Sequence, residues 1–211
     1  MRAYRRHLPH QAPEGQPVFL TWNLKGAIPR RVATALASER QRLRQMPARE
    51  TESVPERRIR ESKLLFAMAD RCLDGAADGP MLFQDDALAK IVEDSILYGA
   101  TDRYELFAWC VMSNHVHVLL TPIWELRRIT QGIKGYSARQ INSRQRTTGR
   151  VVWQDESYDH WARDEEELFR IIAYIENNPV AAGLCKGPAD WLRSSARFRA
   201  TWPPGQAWMA P

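Results

Sequence analysis

Two imidazoles one residue apart stand out in this 211-residue chain: His115 and His117, in the run Val111-Met-Ser-Asn-His-Val-His-Val-Leu-Leu120. In an extended strand alternate side chains share a face. Both rings therefore project to one side, while Val116, Val118 and Leu120 project to the other, toward a core. Neighbouring imidazoles on one face are natural ligands for a divalent cation. The same spacing also serves as polar filler on a sheet, but the chain has only five His and two of them form this pair. A second run, Ile172-Ala-Tyr-Ile-Glu-Asn-Asn-Pro179, supplies complementary groups. Tyr174 and Asn178 lie one helical turn apart on a shared face. An amide oxygen there completes a ligand set. With a phosphate polarised by the cation, the phenolate is placed to attack it. Without the His pair, Tyr174 reads as packing at the rim of an apolar stripe, and Asn178 as a helix end before proline. Tyr136, in Ile133-Lys-Gly-Tyr-Ser137, is a rival nucleophile in basic surroundings, with Gln140 one turn on.

The elements that must position these groups follow from periodicity and turn chemistry. Val18–Leu24 has strand composition. Residues 30–46 and 56–74 read as helices, separated by a polar, Pro-bounded loop over 46–55. Residues 75–80 form another break. Asp85–Tyr98 is an amphipathic helix with Leu88, Ile91, Val92 and Ile96 on one side. Tyr104–Val111 and Asn114–Thr121 form a hairpin ended by Pro122. Leu126–Ser143 is a helix and Gly149–Trp153 a short strand. Glu165–Asn178 is a final helix, N-capped by Asp164 with Glu167 as capping-box partner and stopped by Pro179. The tail from Gly187 is loop-rich. Apart from residues 30–78 the order predicts two β-α-β halves. That is an α+β, ferredoxin-like antiparallel sheet with helices on one face, plus an inserted helical block. Residues 1–211 are expected to form one catalytic domain with 30–78 inserted in it.

Charge narrows the partners. Of 30 basic residues, 25 are Arg, and the formal net charge is +5. A GC-rich genome favours Arg codons whatever the function, so the total says less than its distribution. From Leu126 to Gln154 there is no Asp or Glu, but there are seven basic residues: Arg127, Arg128, Lys134, Arg139, Arg144, Arg146 and Arg150. A solvated helix face mixes both signs. An unbroken basic block beside aromatic residues points to a polyanion. Trp153, Tyr158 and Trp161 are candidates to stack on bases, with burial the competing fate. Arg5 and Arg6 belong to a basic N-terminal arm suited to a groove, or to simple disorder. Cys72, Cys110 and Cys185, far apart and odd in number, read as small buried apolar residues in a reducing compartment. No apolar run is long enough to cross a bilayer and no apolar leader precedes residue 16, so a soluble intracellular protein without membrane partners is expected.

The segments Met112–Leu120 and Ile172–Leu184, with Trp153-Gln154, Ser157–His160 and Arg163–Leu168 between them, resemble the HUH single-tyrosine transposases, in particular the REP-associated branch. The resemblance covers roughly residues 16–25 and 80–195. It implies a DNA transposase that cleaves and rejoins single-stranded DNA next to a hairpin through a 5′-phosphotyrosine intermediate. Tyr174 would be the nucleophile. His115, His117 and Asn178 would hold Mg²⁺ or Mn²⁺, and Arg127, Arg128, Lys134, Arg139, Arg5 and Arg6 would contact DNA. Its partners would be single strands with REP-like hairpins, and its place the bacterial cytoplasm, at the nucleoid. The branch tends toward monomers, so a monomer is expected over a dimer that exchanges tyrosine helices. The alternative is a domesticated, non-catalytic protein that binds hairpins for regulation. A metal-dependent hydrolase built on the His pair would need a nearby carboxylate, which the His strand does not offer. The block 30–78 departs from the family core.

Overall fold

The computed structural model describes residues 15–47, 49–75, 79–100, 102–155 and 157–208. They fall into two compact units: one runs through Lys25 and resumes at Met81, the other is Gly26–Pro80. The expected arm residues Arg5 and Arg6 lie outside the described residues.

In the first unit the strands are β1 (Val18–Asn23), β2 (Tyr104–Val111), β3 (His115–Pro122) and β4 (Tyr158–Trp161), in the spatial order β2-β3-β1-β4. Every neighbouring pair is antiparallel. This is the sheet of a βαββαβ unit, so the α+β, ferredoxin-like expectation holds. Register sorts side chains into two faces. Thr21 pairs with His117, Asn23 with His115 and Phe19 with Leu119. His160 of β4 pairs with Phe19 and joins that face. Leu20, Trp22, Val116 and Val118 occupy the opposite face.

Helices α3 (Asp86–Leu97) and α4 (Leu126–Arg144) are the two crossover helices. They pack together and cover the Leu20–Trp22–Val118 face, where Trp153 lies edge-on to Trp22 and donates its indole N–H to Ser137 of α4 at 3.1 Å. Helix α5 (Glu165–Ala181) lies on the other face, its Tyr174 ring against Phe19 and His117. The sheet is thus covered on both sides, and the site face belongs to α5 alone among the helices of this unit.

Several boundaries differ from the sequence reading. Gly149–Trp153 is not a strand: only Trp153 forms a bridge, to Leu24, and Val151 is 61% exposed. The fourth strand is Tyr158–Trp161 instead. Pro179 does not stop α5, which runs to Ala181. In the last turn its missing N–H releases a single carbonyl, and its fixed φ suits a helix. Asp164 does cap α5, accepting from Glu167 N at 2.7 Å. The Glu167 carboxylate is engaged elsewhere, by His160 Nε2 at 2.9 Å, Arg163 N at 3.1 Å and Arg163 Nε at 2.8 Å. Of the cysteines only Cys110 is buried; Cys72 and Cys185 are partly exposed.

β2 is an edge strand, and its open side is covered by the segment that follows α5. Val111 N donates to Arg193 O at 2.9 Å, and Trp208 N to Leu106 O at 2.7 Å. Arg199 donates to Phe107 O at 2.8 Å. Trp109, Phe198, Trp202 and Trp208 form an aromatic cluster beneath this strap, with Trp109 ring centroids 5.3–5.8 Å from the other three. Covering an edge this way removes a template for pairing with other chains. The strap also reaches α5: Glu176, 9% exposed, accepts from Ser195 Oγ at 2.5 Å and Arg199 Nε at 2.7 Å.

The second unit is a pair of helices, α1 (Arg30–Gln45) and α2 (Val54–Asp74). α2 starts two residues earlier than its apolar pattern suggests because Ser53 and Glu56 form a capping box around Pro55. Arg57 of α2 donates to the carbonyls of Leu43, Arg44 and Met46, satisfying the exposed end of α1. One turn apart on α2, Asp70 is buried and Asp74 partly so. Burial, then the Asp70 charge, push the Asp74 carboxyl up to about 7.

Candidate active site

The site face is built by β1, β3 and α5. Because β3 alternates strictly, its apolar set fills one side and fixes His115 and His117 on the other. Both are fully buried. Their Nε2 atoms face each other at 3.0 Å. Each Nδ1 has a separate partner: Asn114 Oδ1 at 2.6 Å from His115, and Thr21 Oγ1 at 2.8 Å from His117. An amide oxygen only accepts, so His115 carries its proton on Nδ1 and presents a lone pair at Nε2. The Thr21 hydroxyl donates or accepts, so His117 is free to take either tautomer. Burial drives the His117 pKa down to about 3, partly offset by the Asn178 amide beside it, so the ring is neutral.

Helix α5 brings the other two residues to the same place. The Tyr174 ring sits edge-on to His117, centroids 5.7 Å apart, and edge-on to Phe19 at 5.9 Å. Phe19 itself stacks on His117 at 5.7 Å. Tyr174 is 38% exposed, so its ring is braced on two sides while its outer part meets solvent. Asn178, one turn on, is 3% exposed, and its Oδ1 has no hydrogen-bond partner among the described residues. A buried amide oxygen left this way costs about 1–3 kcal/mol unless something else binds it.

The donors fit a divalent cation. Two ring nitrogens bound to one ion at about 2.1 Å each lie about 3 Å apart when their bonds are at right angles, the spacing found here. The His115 Nε2 lone pair, that of His117 in its Nδ1–H tautomer, and the Asn178 oxygen beside the His117 ring are what such an ion would bind. A second partner that fixes the ring tautomer is typical of metal-bound histidine, and Asn114 is such a partner for His115.

The rival phenol is elsewhere. Tyr136, 47% exposed, belongs to α4 and is separated from the His pair by the sheet. α4 also carries Arg127, Arg128 and Arg139, all exposed and without a carboxylate partner among the described residues. Lys134 differs: its ammonium donates to Gln154 O at 2.6 Å and so ties α4 to the loop before β4. A cleft of about 500 Å³ lies there, lined by Arg127, Gln131, Lys134, Gln154 and Ser157 over Leu20. Trp153, a stacking candidate, is buried against Phe83 and Trp22 and belongs to the core. Tyr158 and Trp161 are partly exposed.

A His pair, a braced tyrosine and an unpartnered amide on the outer layer of a four-stranded sheet invite comparison with known families. Residues 82–178 match the IS200-like transposase family. The resemblance read from the His pair and the Tyr174 run is borne out. A Haemophilus influenzae protein named for REP-associated tyrosine transposases is 28% identical over 103 residues, or 44% of this chain. The match spans 58% of that relative's length. A solved structure of a REP-associated tyrosine transposase bound to a REP hairpin aligns over 100% of this chain and 93% of its own. Its TM-score is 0.53 at 19% identity, so this chain and that protein share a fold. Among the described residues no helix is long and apolar enough to cross a membrane.

Sequence reasoning missed Thr21, Asn114 and Phe19, which orient the candidate ligands and tyrosine. A signal for two of them was present. Thr21 is the polar residue inside Val18–Trp22, and Asn114 directly precedes the His pair.

Proposed function

We propose that this chain cleaves and rejoins single-stranded DNA beside a hairpin, with Tyr174 as nucleophile and Mg²⁺ or Mn²⁺ held by His115, His117 and Asn178. The observation that carries the reading is the meeting of a partly exposed phenol with two buried imidazoles whose Nε2 atoms face each other and a buried amide oxygen without a hydrogen-bond partner among the described residues. When bound, the cation would polarise the phosphate and offset charge on its oxygens. The Tyr174 oxygen, once deprotonated, bonds to phosphorus as the P–O3′ bond breaks. The strand downstream of the cut stays on the tyrosine through its 5′-phosphate, and the departing O3′ of the upstream strand takes up a proton. Attack by that 3′-OH, or by another strand's, restores a phosphodiester and frees the phenol. One phosphoester replaces another at each step, so no ATP is required. Phe19 and His117, stacked on each other, both meet the ring edge-on from the sheet and limit where the phenol points, which favours in-line attack.

The hairpin partner follows from the REP-associated relatives. Arg127, Arg128 and Arg139 would neutralise its phosphates from α4, on the far face of the sheet. A monomer acting at the nucleoid in the cytoplasm completes the reading.

The test is incubation with end-labelled hairpin DNA bearing single-stranded flanks, with Mn²⁺ or Mg²⁺. A denaturation-resistant protein–DNA adduct is expected, lost in Tyr174→Phe and kept in Tyr136→Phe. The reverse pattern would move the nucleophile to α4. No adduct on any hairpin strand would leave a hairpin-binding protein without strand transfer.

A further inference from the structure

A second surface lies at the far end of β3 from His115. Tyr98, at the end of α3, is 75% exposed; Ile123 and Trp124, just after β3, are 57% and 47% exposed. Large apolar side chains this open, gathered in one place, mark a contact surface. Between the two rings stands Arg103, its guanidinium carbon 4.9 Å from the Tyr98 centroid and 5.0 Å from that of Trp124. The arrangement is fixed from below. Ile123 N and Trp124 N both donate to Arg103 O, at 2.9 and 3.0 Å, locking the chain after β3 to the start of β2. Each ring thus has a cation on one side, and its high exposure leaves π surface open on the other.

Charge selects the occupant. One turn beyond Trp124, Arg127 and Arg128 are exposed and without a carboxylate partner among the described residues. They begin the block of seven basic residues with no acidic one. Asp102, 3.8 Å from Arg103, and the exposed Glu105 and Glu125 keep phosphate off the aromatic stack itself. Bare π faces beside unpaired Arg suit an unpaired strand: bases stack whatever their sequence and phosphates lie over the adjacent cations. An apolar protein partner would leave those arginines unmatched.

We propose that the Tyr98–Arg103–Trp124 stack is a platform for unpaired bases of single-stranded DNA, with Arg127 and Arg128 holding the adjoining phosphates. It rests on the DNA reading above. Trp124 lies seven residues past His117, on the order of 20 Å along a strand. The platform therefore grips DNA several nucleotides from the reacting phosphate and touches no reacting atom.

The probe is a fluorescein-labelled ten-nucleotide oligothymidylate, which has no hairpin, followed by anisotropy at several salt concentrations. Trp124→Ala and Tyr98→Ala are each expected to weaken binding about 5-fold or more, while Trp124→Phe keeps most of it. Stacking is not ionic, so Trp124→Ala leaves the salt slope unchanged, whereas Arg127→Ala lowers it by about one. Melting curves confirm that each variant is folded. Wild-type affinity in both alanine variants, or no oligothymidylate binding by the wild type, overturns the platform. So does a Trp124→Ala protein that binds DNA normally but sediments as a smaller species, which would make the patch a contact between copies. Trp124-dependent binding with no tyrosine adduct on any hairpin would sink the strand-transfer reading and leave the platform standing. An adduct with no Trp124 effect would do the opposite.

Discussion

Replacing Asn178 with Leu separates two roles that one side chain would otherwise blur. Asn178 is 3% exposed and its Oδ1 has no hydrogen-bond partner among the described residues. In metal-free protein such an oxygen costs about 1–3 kcal/mol. Leucine has similar volume, removes the oxygen without opening a cavity, and is the better helix former by a few tenths of a kcal/mol. The metal-free variant should therefore be about 1–2 kcal/mol more stable than the wild type, or roughly 2–8 °C in Tm for a chain of this size. The cation reverses the order. At about one hundred times its Kd, a metal ion stabilises the wild type by about 2.7 kcal/mol. A site short of one ligand gains little of that. Scanning calorimetry in EDTA and across a Mn²⁺ titration should show the variant melting higher without metal and the wild type melting higher with it. A variant that melts lower in EDTA would mean that the amide is structurally satisfied after all. A variant with the full Mn²⁺ shift would remove Asn178 from the ligand set.

Three further outcomes follow from buried charge. His117 is held neutral, with its pKa at about 3 against about 6.5 in an unfolded chain. Below pH 6.5 the unfolded chain binds a proton that the folded protein refuses, so metal-free stability should fall by up to about 1.4 kcal/mol per pH unit down toward pH 3. Urea melts at pH 7, 6 and 5 should show a shallower dependence for His117→Gln, and parallel slopes would contradict the assignment. Asp74 behaves oppositely: raised to about 7, it keeps a proton when folded that the unfolded chain has lost, so its cost appears as pH rises through 4 to 7. Asp74→Asn should stabilise the protein at pH 8 by about 1–3 kcal/mol, discounted for partial exposure, and leave it unchanged at pH 4. Arg199→Ala should destabilise by about 2–4 kcal/mol in chemical denaturation, because the buried Glu176 carboxylate loses its cation. Adding Glu176→Gln to that variant should restore part of the loss, and no restoration would refute the ion-pair account.

The parts legible in the sequence were those where one period governed a segment. β2 was read with its observed bounds and β3 to within one residue, because alternation between core and site face leaves a single register. The His pair, Tyr174 and Asn178 could be grouped because two periodicities, two for the strand and 3.6 for the helix, each put their pair on one face. β4 was missed because Tyr158, Asp159 and His160 show no apolar alternation; their strand state comes from pairing with β1. Val151 and Val152 suggested a strand through their β-branched shape, but pairing here is confined to a single bridge, Leu24 with Trp153, beside the Lys25 N to Val152 O bond at 2.8 Å. Pro179 was read as a stop because an interior proline breaks a helix, a rule that loses force in a final turn. Thr21 and Asn114 could not be assigned as partners of the imidazoles, since the Thr21 contact joins positions 96 residues apart.

The strap over β2 also bears on how the molecule is made. Leu106 leaves the ribosome roughly 100 residues before Trp208, the residue that seals its outer edge. Throughout that interval a nascent sheet exposes one flank of unmatched backbone, and closing so long a loop is slow. Final consolidation must await synthesis of residues 193–208, and until then the half-built molecule is open to capture by other extended chains. Chaperone dependence during translation, and recovery of soluble protein when residues 193–208 are supplied as a separate peptide, would both trace to this one late-arriving seam.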